Sequence, residues 1–92
     1  SYFRDFPHLS VQAAEWLTSF PLQGVGVDTI SIDHIDHGDL PAHHILLGHG
    51  MIIIENLTNL NAISSSCPTF SCLPLPIRAA DGSPVRAVAI EN

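Results

Sequence analysis

Three observations predict that this 92-residue chain adopts an α/β fold, a mixed sheet with short helices. Apolar residues recur at helical spacing from Val11 to Phe20, and Leu40 to Gly48 reads as a second, shorter helix. Two short apolar stretches, Gly24 to Thr29 and Met51 to Ile54, alternate with these helices as candidate strands. Finally, Asp81-Gly82-Ser83-Pro84 is a strong turn signal between two strand-like stretches, which are expected to pair antiparallel.

Each element has its own justification. Ser1 to Pro7 is an irregular lead-in whose rings, Tyr2, Phe3 and Phe6, need cover. Ser10 is a fitting N-cap for the first helix, Pro21 stops it, and Trp16 and Phe20 are expected to anchor the core. In the first strand, Gly24 and Gly26 stand where another backbone or helix approaches closely. Ile30 to Pro41 is a loop dense in acid and imidazole. Gly48 and Gly50 end the second helix, with His49 between them as a solvent-facing turn residue. The unbroken apolar run Met51 to Ile54 suits a strand buried on both faces. Leu57, Leu60 and Ile63, spaced by three, suit a helical turn or 3₁₀ segment within Asn56 to Ile63. Phe70 to Ile77 reads as an edge strand, because Pro74 and Pro76 donate no ladder bonds, and Val85 to Ile90 closes the chain.

Composition narrows the function classes. With 46% hydrophobic and 13% charged residues the chain is too apolar to be disordered, so it must bury that surface in a core or against another chain. A domain of this size buries only about 60–65% of its unfolded surface, which makes independent folding marginal. Three basic residues against nine acidic ones give a net charge of −6, which repels phosphate; nucleic acid and anionic membrane are not expected partners. No apolar run approaches the ~20 residues of a membrane span, and no charged-then-apolar leader is present, so a cytoplasmic location is expected. Cys67 and Cys72 fit neither a redox pair nor a zinc knuckle and are taken as reduced packing residues, a local disulfide between them being the alternative.

The candidate chemistry centres on Glu55, which the Met51 to Ile54 run delivers at its far end. A carboxylate there is costly unless paired. A glutamate ending a strand is commonly solvated or bound to backbone amides; a metal ion shared with a histidine is the sharper alternative, since imidazole and carboxylate both ligate zinc and manganese. His43 and His44 are adjacent on a helix and point about 100° apart, so only one can face such an ion, the other being a neighbouring or surface group. Asp28 ends the first strand as Glu55 ends the later one, so the two acids are candidates to share a rim; a turn cap explains Asp28 equally well. His34 and His37, on the polar loop, are placed outside the ligand set because a loop preorganises ligands poorly.

Five blocks in collinear order now carry a resemblance. They are Gly26-Val-Asp28-Thr-x-Ser31-x-Asp33, Ala42-His43-His44-x-Leu46-Leu47, Ile54-Glu55-Asn-Leu57, Leu73-Pro-Leu-Pro76 and Asp81-Gly-Ser-Pro-Val-Arg86-Ala-Val-Ala89. Together the sequence resembles the C-terminal half of the cyclase family of metal-dependent hydrolases, which includes bacterial kynurenine formamidases and isatin hydrolase. The resemblance implies a swivelling β/β/α fold and hydrolysis of an amide, formamide or lactam at a centre of one or two Zn²⁺ or Mn²⁺ ions. It implies a metal-ligating histidine and glutamate twelve residues apart, the separation of His43 and Glu55, whereas His44 and Glu55 are eleven apart. His44, Asp28 and Asp33 are then candidates for the surrounding shell. The family's H-x-G-T-H-x-D motif does not occur in these residues, and no catalytic base is identified. Residues 1–92 are accordingly expected to be the C-terminal portion of one hydrolase domain, with the N-terminal metal-motif portion supplied by a missing segment or companion chain. A homo-oligomer is the expected assembly. The alternative is a non-catalytic metal-binding or dimerisation fragment, inactive without its N-terminal half.

Overall fold

The computed structural model describes residues 5–36, 38–80 and 82–91. The expectations for Tyr2, Phe3, His37 and Asp81 therefore fall outside the described residues. The chain divides into two units, residues 1–58 and residues 59–92.

The first unit is built on a β-α-β path. Helix α1 (Val11–Leu17) starts where the Ser10 hydroxyl accepts the Ala13 amide at 3.0 Å, the expected cap. It ends at Leu17, three residues before the expected Phe20. The hydroxyls of Thr18 and Ser19 donate back to the carbonyls of Glu15 and Trp16, and the Phe20 amide bonds to Leu17, which tightens the last turn. The shortened helix corrects the expected role of the two large rings. Ala14 and Leu17 face the core, while Trp16, 62% exposed, lies about 200° around the helix from Ala14 and pairs edge-on with the exposed Phe20.

Strands β1 (Gly24–Gly26) and β2 (Ile52–Ile54) pair in parallel, Gly24 opposite Ile52 and Gly26 opposite Ile54. Backbone bonds continue the pairing, from Val27 to Ile54, Leu57 to Val27 and Asn56 to Thr29, so the extended segment runs as far as Thr29. Close approach of the Ile52 backbone requires glycine at Gly24, and at Gly26 a side chain would have to displace the end of Leu57. A Cβ on Gly24 would stand 2.6 Å from the Ile52 carbonyl oxygen, and one on Gly26 would stand 2.7 Å from Leu57 Cδ1. The same feature corrects the expectation that β2 is buried on both faces. Ile52 is 50% exposed, because its partner Gly24 has no side chain to cover it.

Helix α2 (Pro41–Gly48) lies between the two strands in sequence. Leu40 precedes it at φ 48°, a left-handed conformation that is costly for leucine, and offers no side-chain cap. The other end is a complete Schellman turn. The Gly50 amide (φ 76°) bonds to Leu47 and the Met51 amide to Leu46, while Leu46 and Met51 themselves are buried in the core. That core comprises Ala14, Ile32, Ala42, Leu46 and Met51, with Leu9, Leu17, Val25, Val27, Ile45 and Ile53 packed against it.

The second unit is a 3₁₀ turn (Leu60–Ala62) followed by the antiparallel hairpin of β3 (Thr69–Pro74) and β4 (Val85–Ile90). The turn is shorter than the Asn56 to Ile63 expectation because Asn56 and Asn59 take positive φ and break any longer helix. Strand β3 stops at Pro74 rather than Ile77. Beyond it the Ile77 amide turns back to Leu75, across Pro76, which has no amide to donate. Glu91 closes this unit by accepting the amides of Ser64 and Ser65 at 2.7 and 2.8 Å and the Ser64 hydroxyl at 3.1 Å. Much apolar surface stays open here, with Leu73 67% exposed and Leu75, Ile77, Val88 and Ile90 also exposed. Both cysteines are free, but Cys67 sits in an exposed turn where its amide bonds to Ser65 Oγ, so it is not the packing residue expected. Among the described residues no helix is long and apolar enough to cross a membrane.

Candidate functional site

The end of the first unit left open by α2 is where polar chemistry collects. With no cap of its own, α2 takes one from the loop before it. Asp33 Oδ1 accepts the Ala42 amide and Oδ2 the His43 amide, each at 2.9 Å. Asp33 is 1% exposed and is the buried charged side chain of the described core. Burial by itself pushes its carboxyl upward, but the His43 amide and ring and the Ala42 amide together hold it below the ordinary carboxylate range.

The same carboxylate reaches the imidazole. His43 Nδ1 lies 2.7 Å from Asp33 Oδ2, and Nε2 lies 3.1 Å from Glu55 Oε2. Glu55 is fixed from behind, its Oε2 accepting the Ile32 amide at 3.1 Å. An Asp33–His43–Glu55 chain therefore runs from the buried core to a partly open rim.

Because ionised Asp33 can only accept, the neutral ring carries its proton on Nδ1, which leaves a bare Nε2 facing a carboxylate oxygen. Two acceptors at 3.1 Å need a positive centre between or beside them, either a proton or a cation. The donor set fits a metal: one imidazole nitrogen and one carboxylate oxygen, separated as two ligands of one ion at about 2.0–2.2 Å stand. No group of three or more histidine, cysteine or acidic side chains suited to a metal occurs among the described residues.

The remaining sequence-derived candidates are distributed differently. His44 projects from α2 into solvent, one helical step from His43. Asp28 lies beyond the end of β1, on the rim where β2 delivers Glu55, but is exposed and outside the chain of contacts. His34 stacks on Phe6 with ring centroids 6.3 Å apart and meets the His8 ring edge-on at 5.2 Å. His49 is exposed, its Nδ1 2.9 Å from the Ile45 carbonyl at the end of α2. Sequence reasoning missed the Ile32 amide as a partner of Glu55, since a backbone donor leaves no residue-type signature. The capping work of Asp33 did leave one: a helix opening Leu40-Pro41 has no capping side chain and must borrow one.

No protein-family profile matches the chain. Curated relatives do. A kynurenine formamidase from Bacillus cereus (strain ATCC 14579) is 42% identical over 82 residues, 89% of this chain and 39% of the relative. The kynurenine formamidase of Bacillus anthracis is 40% identical over the same share of each chain. The chain is similar to the bacterial kynurenine formamidases over most of its own length. It spans about two fifths of the length of these formamidases. A solved structure described as a potential metal-dependent hydrolase with cyclase activity superposes with a TM-score of 0.80 at 30% identity, covering 91% of this chain and 41% of that one. That neighbour thus shares the mixed α/β architecture described above.

Proposed function

We propose that this chain is part of a metal-dependent hydrolase of the kynurenine formamidase type and supplies two ligands, His43 and Glu55, to its metal centre. The observation that carries the reading is His43 Nε2 facing Glu55 Oε2 at 3.1 Å on a partly open rim. Support comes from relatives named kynurenine formamidase and from a neighbour described as metal-dependent. Catalytic zinc normally takes three protein ligands and a water, so further ligands come from polypeptide other than these two side chains.

A bound Zn²⁺ or Mn²⁺ would lower the pKa of its water toward neutrality and polarise a substrate carbonyl, the chemistry that opens a formamide, amide or lactam at physiological pH. The chain's own contribution is geometric and electrostatic. Glu55 brings negative charge, held in place by the Ile32 amide, and His43 brings a lone pair on a rigid helix rather than a mobile loop. The donor set is mixed nitrogen and oxygen, which serves either metal.

The test is metal analysis and hydrolysis of an N-formyl aryl amide and a lactam by the protein expressed from its full reading frame. Stoichiometric metal and turnover are expected, both abolished by His43→Ala or Glu55→Ala and both retained in the His34→Ala/His37→Ala double variant. Metal retained without Glu55 but lost with His34 and His37 would move the site to the loop and sink this reading.

A second reading rests on the hairpin. Leu73, Val88 and Ile90 are all exposed on one face of β3 and β4, which supports an assembly role in which this piece is inactive alone and folds against its complement or a second copy. A cooperative, concentration-independent melt of the isolated chain as a monomer would exclude it.

A further inference from the structure

We propose that the dipeptide Ile32-Asp33 is the positioning element of this site, Asp33 holding the Nδ1 proton of His43 so that Nε2 is presented bare, while the Ile32 amide aims Glu55 at it. This deepens the metal reading and rests on it for its meaning in catalysis.

Both donor side chains are steered from two consecutive residues. Ile32 N–H donates to Glu55 Oε2 at 3.1 Å, and Asp33 Oδ2 accepts from His43 Nδ1 at 2.7 Å. The dipeptide is itself immobilised. Ile32 is buried in the core at 1% exposure, and its carbonyl accepts the Leu9 amide at 2.9 Å. Asp33 is equally buried, and the structure leaves no buried side-chain polar atom unpartnered among the described residues.

The bonding fixes a tautomer as well as a direction. Asp33 Oδ2 takes both the backbone amide and the ring of His43, so one oxygen holds that residue at two points and restricts rotation of the ring. A carboxylate can only accept, so the proton in the 2.7 Å contact belongs to Nδ1. Histidine ligands to metals are oriented by just such a partner on the other nitrogen, and loss of that partner costs about 10–100-fold in metal affinity. Asp33 is thus a positioning residue that acts through His43. Its second task, capping α2, places the first turn of the helix under the same carboxylate.

The experiment is long-range proton–nitrogen NMR of the full chain with labelled histidine, free of metal and at a pH where the ring is neutral, paired with Zn²⁺ titration. In Glu55→Ala, which leaves Asp33 untouched, the His43 proton is expected on Nδ1. In Asp33→Ala, which removes the acceptor of the Nδ1 proton, the ring is no longer held in that tautomer and the Nε2-protonated form should be populated, with Zn²⁺ bound about 10–100-fold more weakly. Two results would overturn the proposal. One is a proton on Nε2 in Glu55→Ala; the other is a folded Asp33→Ala whose tautomer and Zn²⁺ affinity are unchanged, the signature of a cap and nothing more. If Asp33→Ala does not fold, the Glu55→Ala spectrum decides alone. An Nδ1 proton in a chain that takes up no Zn²⁺ would uphold the assignment of Asp33 while removing the metal reading.

Discussion

Asp33 and Glu91 each accept two backbone amides from another segment of their own unit, Asp33 from Ala42 and His43 at 2.9 Å, Glu91 from Ser64 and Ser65 at 2.7 and 2.8 Å. Both carboxyls are held below the ordinary range, and both tie a local turn to a distant residue. They differ in their surroundings. Asp33 is sealed in a core with an imidazole on one oxygen, while Glu91 is open to solvent. Where water can replace the carboxylate, the bond contributes little. Where water is excluded, removing one partner strands the others, and the stranded groups set the cost.

The largest effect expected follows directly. Asp33→Ala leaves the Ala42 and His43 amides and the His43 ring without this acceptor, the Ala42 amide in a buried position. A lost helix cap and at least one stranded buried donor together cost about 3 kcal/mol. Urea unfolding of the first unit, followed by its amide resonances, measures it. A loss below about 1 kcal/mol would mean that water reaches the site and that the contrast with Glu91 is false.

The apolar residues offer a parallel contrast. Leu46 is fully buried and belongs to the Schellman turn that ends α2, so Leu46→Ala should cost about 3 kcal/mol by transfer and cavity terms together. Leu73, 67% exposed on β3, should change stability by no more than about 0.5 kcal/mol when cut to alanine. A large loss at Leu73 in the same denaturation series would reveal that its face is covered in solution, which would favour the assembly reading over the catalytic one.

The contrast also explains what could be read from the residues. The glycines ending α2 and the antiparallel pairing of the last two strands rest on local rules, and the structure follows them. The roughly 100° step between His43 and His44 is equally local: the structure turns one to Asp33 and Glu55 and the other to solvent. Trp16 failed as a core anchor because burial preference is an average over proteins, whereas here the helical step sets Trp16 about 200° from the core-facing Ala14. Ile52 failed because the pattern of a strand does not reveal whether its neighbour opposes it with a side chain or with glycine. The Ile32 contact was hidden for a third reason. It joins residues far apart in sequence through a backbone donor that every residue but proline possesses.

The smallest effect is the pH response of Glu91. The Ser65 and Ser64 amides favour its charged form, which lowers its carboxyl relative to the unfolded chain. The sign follows from linkage. Whatever this carboxylate contributes is present above the unfolded glutamate pKa and is lost as pH falls through the lower, folded one. A carbonyl-detected titration should therefore place the Glu91 midpoint below the ordinary glutamate range, with the Ser64 and Ser65 amide shifts following the same curve. Glu91→Gln should remove that curve. A Glu91 midpoint within the ordinary range would show that the three serine contacts are not maintained in solution. The second unit would then hold its ends together by the β3–β4 ladder alone.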